Sequence, residues 1–398
     1  MSCPPGRTVS SLRMRAFSRR WTDRDGWSEP LDSTLGADVQ LALAFGPSTA
    51  PEAAWFAAVA AAWPAARLVY VTSGGQVTGR DVVDDEVVVT GLAFDATTVR
   101  VVQGSGLGHE ETCEAMGARL GRELAEEAAL RHVLVFADGL QVNGAALTRG
   151  FAAALPATVS ISGGLASDGS RFERTGVGLD GPPRPGQVIA IGLYGDALAV
   201  GTGSVGGWEP FGPERLVTRS DGTTVFELDN EPALDVYRRY LGPLAAELPA
   251  SALLFPLGMV APHGGPPLVR TLLGIDDEAR SLRFAGEVPQ GGRVRLMRAT
   301  NEHLIDAAQL AASAARDALA DTPPVAVLCV SCIGRRVVLR SRIAEEIDEV
   351  ASTVPDAVIA GFYSNGEIAP LTSAVASDDR TTALFHNQTM TLTVLGER

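Results

Sequence analysis

The stretch VLVFADGLQVNGAALTRGFAAALPATVSISGG, Val133 to Gly164, decides the fold class. It opens on an apolar run, passes through a polar, glycine-containing segment into an alanine-rich run, meets Pro156, and closes on a second apolar run ending in Gly163-Gly164. Strand, helix and strand at this spacing make a βαβ unit, with proline stopping the helix and glycine ending the second strand. Two other stretches follow the same plan. One runs from Leu41 through Pro64 to Gly75, the other from Ala326 through Pro355 to Gly366. Three such units imply an α/β architecture.

Between the units lie alternating segments such as DEVVVTGLAF, QVIAIGLYG, ALAVGTGSVGGW, TTVFELD and SLRFAGEVPQGGRVRLM. Their period of two reads as antiparallel meander strands joined by turns. The expected fold class is therefore mixed α+β: repeated strand-helix-strand units with meander strands, in two sheet-containing halves packed with helices. Further helices are expected over Glu110 to Leu130 and over Asn301 to Leu319, the latter with Thr300 as N-cap. In LDNEPALDVYRRYLG, Asp229 or Asn230 is the expected cap, Pro232 falls in the first turn and Gly242 ends the helix. That helix is the expected bridge between halves spanning residues 37–230 and 231–398.

A chain of 398 residues that is 46% hydrophobic can bury large cores. Its net charge of -14 argues against a nucleic-acid surface, since phosphate binding needs clustered cations. No segment approaches the roughly 20 apolar residues needed to cross a bilayer. All 33 basic residues are arginine. Without lysine there is no Schiff-base chemistry, no pyridoxal phosphate attachment and no lysine-bearing phosphate loop. A Gly-x-Ser-x-Gly elbow is also absent. Four cysteines, Cys3, Cys113, Cys329 and Cys332, are too few and scattered for a disulfide framework, and a reducing cytoplasm fits them best. The first two dozen residues carry six arginines and one acid without an apolar core for a secretory signal. Residues 1–36 are expected to be a disordered tail or an overextended start, with Met14 as another beginning.

GFYSNGEIAP, Gly361 to Pro370, reads as a strand ending in a tight turn that holds Tyr363, Asn365 and Glu367. Two readings fit Glu367: an acid on a turn facing water, or a carboxylate in a binding crevice.

The residues then resemble a known family, the FIST domain family of sensory proteins. The matching pieces are VLVFADGLQVNG, SGGLASDGSRF, VGGWEPFGP and FELDNEPALDVYRRYLG in the N-terminal half. In the C-terminal half they are RTLLGIDDEARSLRFAGEVPQGGRVRLM, VSCIGRR, GFYSNGEIAP and FHNQTMTLTVL. The resemblance covers about Ala37 to the end, in order. It implies a FIST N-terminal domain over 37–230 and a FIST C-terminal domain over 231–398. It also implies a ligand-sensing input, with amino acids among the proposed ligands. Some members look like haem proteins that sense nitric oxide and control a histidine kinase. With nothing expected after the C-terminal half, signalling is expected to pass through a separate partner.

The candidate ligand-binding residues are Gly163, Gly164, Asp168, Cys332, Arg335, Tyr363, Asn365, Glu367, His386 and Asn387. The glycine turns end equivalent strands, so a shared crevice at those ends is the expected ligand site. Glu367 is expected to pair there with a ligand amine or with Arg335. His386 has three readings: metal ligand, proton exchanger, or a side chain that satisfies a carbonyl. Five scattered histidines give no metal spacing, although haem stays open because it needs one axial ligand. Cys-x-x-Cys-His, the covalent haem motif, is absent. Cys329 and Cys332 have Cys-x-x-Cys spacing, but no second pair completes a zinc site and no helix is expected to follow, so buried or pocket-lining thiols are expected. The glycines of QGSGLGHEETCEAMGARLG, Gln103 to Gly121, are not spaced for a dinucleotide. Asp138-Gly139 and Asp168-Gly169 suit Asx turns. Trp208 reads as a pocket wall or a core aromatic. An enzyme using Cys332, Asp168, Glu367 or His386 is the remaining alternative.

Overall fold

The computed structural model describes residues 14–31, 38–49, 53–105, 112–248, 250–260, 266–370, 372 and 382–398. All three strand-helix-strand units are present. In each, an entry strand and an exit strand lie parallel: Val39–Gly46 with Arg67–Thr72, Leu130–Ala137 with Ser160–Leu165, and Ala326–Cys332 with Val358–Ser364. A return strand then pairs antiparallel with the entry strand: Val87–Ala93, Gln187–Tyr194 and Met390–Glu397 respectively. Proline follows closely on each helix, after Trp63, Leu155 and Val354. The residue before proline is pushed out of the helical region, so the chain turns back toward the sheet there.

The units are interleaved by exchange of strands. Gln76–Thr78 of unit one pairs with the exit strand of unit three, Val177–Leu179 of unit two with that of unit one, and Glu367–Pro370 of unit three with that of unit two. A second exchange occurs at the return strands. Thr98–Ser105 joins unit two, Leu198–Val205 joins unit three, and Arg15–Thr22 joins unit one. Each sheet of the body is thus completed by segments from other parts of the chain. Where the three sheets meet, Phe45 stacks on Phe362 at 5.0 Å between ring centres and Phe136 meets Phe45 edge-on at 6.3 Å. Both geometries are favoured by aromatic quadrupoles.

Residues 209–298 form a separate layer, an eight-stranded antiparallel sheet with the helix Ala233–Leu241 and its own core around Val225, Leu234, Tyr237 and Leu282. This insert enters after Leu198–Val205 and leaves before the helix Asn301–Asp317.

Several expectations are corrected. The helix expected from Glu110 runs over Cys113–Ala125, capped by Thr112, with Glu110 outside the described residues; its C-terminal part gives way to the strand beginning at Leu130. Asn301–Asp317 starts where expected, Thr300 accepting from His303 N–H. Asp229 and Asn230 do not cap the helix at Ala233–Leu241; both have positive φ in a turn, and Pro232 occupies the cap position. Asp229 instead accepts from Leu216 N–H at 2.8 Å. Arg15–Thr22 lies in the region expected to be a tail, yet it is a strand, because the return strand Val87–Ala93 offers it an open edge. The helix Ile333–Leu339 directly follows the Cys-x-x-Cys strand, where none was expected.

Candidate functional site

Three turns from the three units meet at the C-terminal ends of the parallel strands. The Ser167 hydroxyl donates to the Tyr363 carbonyl and accepts from Gly74 N–H at 2.9 Å. Backbone bonds tie the rest together: Ser167 N–H to Thr72 O at 2.9 Å, Leu165 N–H to Gly366 O at 2.9 Å, Asn365 N–H to Leu165 O at 3.2 Å and Tyr363 N–H to Gly75 O at 3.0 Å. The strand ends of the repeated units therefore converge.

Beside this junction, between the body and the inserted sheet, is a cavity of about 640 Å³. Ligand pockets commonly span about 300–1,000 Å³. The body contributes Leu140, Leu165, Phe172, Cys332, Ile333 and Asn365. The insert contributes Thr271, Leu272, Leu273 and Phe284, with Arg283 and Glu247 as its two charged groups, both exposed. Both amide atoms of Asn365 and the hydroxyl oxygen of Thr271 are buried and have no hydrogen-bond partner. Such orphaned groups cost about 1–3 kcal/mol each, an energetic expense that the fold carries.

Glu367 sits one layer behind that wall and is fully buried. One carboxylate oxygen accepts from Ser364; the other accepts from the Thr389 hydroxyl at 2.9 Å and from Thr389 N–H at 3.2 Å. The cavity-lining Cys332 thiol is bonded to it as well. Burial pushes the Glu367 carboxyl up to about 7, against the pull of these donors. Burial and the neighbouring Glu367 push the Cys332 thiol well above its ordinary value, so it is held as a thiol although it precedes a helix. The water-facing reading of Glu367 is excluded by its burial.

The expected Glu367–Arg335 pair does not form. Arg335 is buried with Glu346, 2.8 Å away, and also donates to the carbonyls of Gly206 and Leu304, both at 2.7 Å. The Tyr363 hydroxyl donates to Glu346 at 2.6 Å, so Tyr363 and Arg335 point into the helix layer and away from the cavity. This follows from strand alternation: Phe362 faces the aromatic centre and Tyr363 faces the helices.

Gly163 and Gly164 lie within the strand Ser160–Leu165, under the antiparallel pairing with Ile368 and Glu367. Gly163 has φ 140°, and a Cβ there would stand 2.0 Å from Val135 O, so glycine is required by strand packing. Asp168 accepts from the N–H groups of Phe172, Glu173 and Arg174 at 2.8–3.0 Å and so pins the loop that brings Phe172 to the cavity. Asp138 makes the expected Asx turn, accepting from Leu140 N–H at 3.1 Å. Asn387 accepts from Thr271 N–H at 3.4 Å and donates to His386 O.

His386 is buried, its Nε2 lies 3.0 Å from Ala369 O, and burial takes it down to about 4. The cavity it lines with Trp208 and Thr389 is about 110 Å³, room for a few waters at roughly 30 Å³ each. His132 has Ser160 and Ser162 at its two ring nitrogens and is also buried. Among the described residues no cluster of His, Cys, Asp and Glu has metal-binding geometry. No described helix is long and apolar enough to cross a membrane.

Of the candidate residues, Cys332 and Asn365 line the large cavity, Glu367 and Asn387 stand behind it, and the others hold the surrounding strands and loops. Sequence reasoning missed the insert wall, Thr271, Leu272, Arg283 and Phe284. Its strands alternate legibly in RTLLGID and SLRF, but alternation does not say which body surface a strand opposes.

Family models match most of the chain: the FIST N domain over residues 40–231 and the FIST C domain over residues 233–370. Two curated relatives, the uncharacterized proteins MT0656 and Rv0628c of Mycobacterium tuberculosis, are each 31% identical over 237 residues, covering 54% of this chain and 57% of theirs. This chain thus spans little more than half the length of those relatives. Two solved structures of cyanuric acid hydrolase align over 97% of the chain at 10% and 11% identity, with TM-scores of 0.32 and 0.35. They cover 100% and 99% of those chains, the second from A. caulinodans. At those scores the likeness carries no argument.

Proposed function

From the premise that this chain belongs to the FIST family, whose domains are sensory domains of signal transduction, we propose that it binds a small molecule in the 640 Å³ cavity and passes occupancy to a separate partner protein. The observation that carries the reading is the two-sided lining: one wall is the turn junction of the body, the other the inserted sheet. A ligand touching both walls favours the arrangement in which they are closed. It shifts the balance by the difference in its affinity for the closed and open arrangements. The partner reads that balance; a histidine kinase is one output protein suited to such an input. For an amino acid, the class implied by the family, the charges would sit at the mouth beside Arg283 and Glu247, since the rest of the lining is neutral.

Metabolite screening by thermal shift tests this. A ligand at 100 times its dissociation constant adds about 2.7 kcal/mol, and Ala285→Trp, which fills the cavity from the insert side, should abolish the shift. A panel without any stabilising compound, or a stabilising compound indifferent to Ala285→Trp, refutes the assignment.

A further inference from the structure

Resting on the cavity assignment above, we infer that Phe172 is the recognition residue of the cavity and that the ligand is a flat, uncharged aromatic molecule stacked on its ring. Among the described residues six large hydrophobic side chains are exposed, and three of them line this one cavity: Leu140 at 41%, Phe172 at 38% and Leu273 at 41%. Scattered exposed leucines are ordinary on a protein surface; three large apolar side chains gathered in one concave place mark a site that something apolar covers. They come from both walls, Leu140 and Phe172 from the body and Leu273 from the insert. The half-buried Leu248 and Leu253 of the insert add to this accessible apolar lining.

Phe172 stands apart from the two leucines in its backbone. Its φ is 54°, in the left-handed region that favours glycine and is an outlier for a bulky residue. The buried Asp168 carboxylate holds that conformation, accepting from Phe172 N–H at 3.0 Å and from Glu173 and Arg174 N–H at 2.8 Å. The ring so presented packs into none of the hydrophobic cores. A strained backbone, held in place and offering an exposed ring to a cavity, is the arrangement of a ligand clamp. A phenyl face attracts a second aromatic ring beyond what area burial alone supplies, so this clamp prefers flat rings over saturated ones. Charge points the same way. Arg283 and Glu247, the two charged groups of the lining, are opposite in sign and both exposed. Pairing with exposed groups contributes little, whereas an ion moved from water onto leucine and phenylalanine loses its hydration. An uncharged ring gains apolar burial on both walls and loses no such hydration.

The test is a calorimetric titration at neutral pH of four matched probes: 2-naphthol, its saturated analogue decahydro-2-naphthol, the anion 2-naphthoate and the cation 2-naphthylmethylammonium. Wild type, Phe172→Leu, Phe172→Tyr and Ala285→Trp are compared. 2-Naphthol should bind about three- to tenfold more tightly than its saturated analogue and about tenfold more tightly than either ion. Phe172→Leu keeps an apolar side chain and should erase the preference for the aromatic probe, Phe172→Tyr should retain it, and Ala285→Trp should abolish binding. Tighter binding of either ion in the cavity overturns the uncharged class, and an aromatic preference that survives Phe172→Leu overturns the role of Phe172. Both results leave the sensory reading standing. A metabolite whose stabilising effect is lost in Ala285→Trp and kept in Phe172→Leu likewise overturns this inference alone. Probe binding indifferent to Ala285→Trp lies outside the cavity and overturns it too. No binding by any probe or by the metabolite panel overturns both readings.

Discussion

Replacing Glu367 by glutamine should change how stability depends on pH while leaving the shape of the site in place. The carboxyl ordinarily ionises near 4.5 and is raised to about 7 by burial. Between those values the folded protein holds a proton that the unfolded chain has released, so stability falls as pH rises. The stabilising contribution is complete below 4.5, is lost up to about 7, and stays lost above it. At about 1.4 kcal/mol per pH unit, the interval amounts to about 3 kcal/mol. The introduced carboxamide keeps an acceptor for Thr389, and the Ser364 hydroxyl can turn to accept from its N–H. Urea unfolding of wild type and Glu367→Gln from pH 4.5 to 8.5 gives the difference directly, because the other groups titrate alike in both. The variant should gain about 3 kcal/mol on wild type by pH 7 and nothing more beyond it. Parallel curves across this range would show that the buried carboxyl is not held protonated.

The buried Arg335–Glu346 pair predicts a different pattern. Arg335→Met leaves Glu346 buried without its cation and should cost about 3–5 kcal/mol, whereas adding Glu346→Gln should recover much of that, measured by chemical unfolding. His132 acts on the acid side. Burial lowers it from 6.5 to about 3, so its stabilising contribution is present above 6.5 and drains away as pH falls toward 3. His132→Gln should gain on wild type by about 2 kcal/mol between pH 6 and pH 4.5 in the same assay.

The three units were legible because each is local: a period change, a proline and a terminal glycine mark it within some thirty residues. The lent strands were not. Gln76–Thr78 and Val177–Leu179 are three residues long, too short to carry a period, and their partners lie in other units. At the site, the turn Asn365–Gly366 and the crevice beside it followed from the pattern of GFYSNGEIAP. The direction of its side chains did not: Tyr363 and Arg335 turned to Glu346, an acid in the first turn of the helix Ile343–Thr353. Thr271 and Phe284 entered the wall through the packing of a whole layer, which no local pattern encodes.

The strand Met390–Glu397 lies between Ala326–Cys332 and Leu198–Val205, inside its sheet rather than at its edge. During synthesis on a ribosome, the body therefore waits for this strand to emerge with two apolar strand edges unpaired. Such intermediates are prone to aggregate, and contacts between segments so remote in the chain form slowly. Assembly of the body is accordingly a late event that favours chaperone-rich conditions, and truncation that removes this one strand should yield insoluble protein rather than a trimmed, working domain.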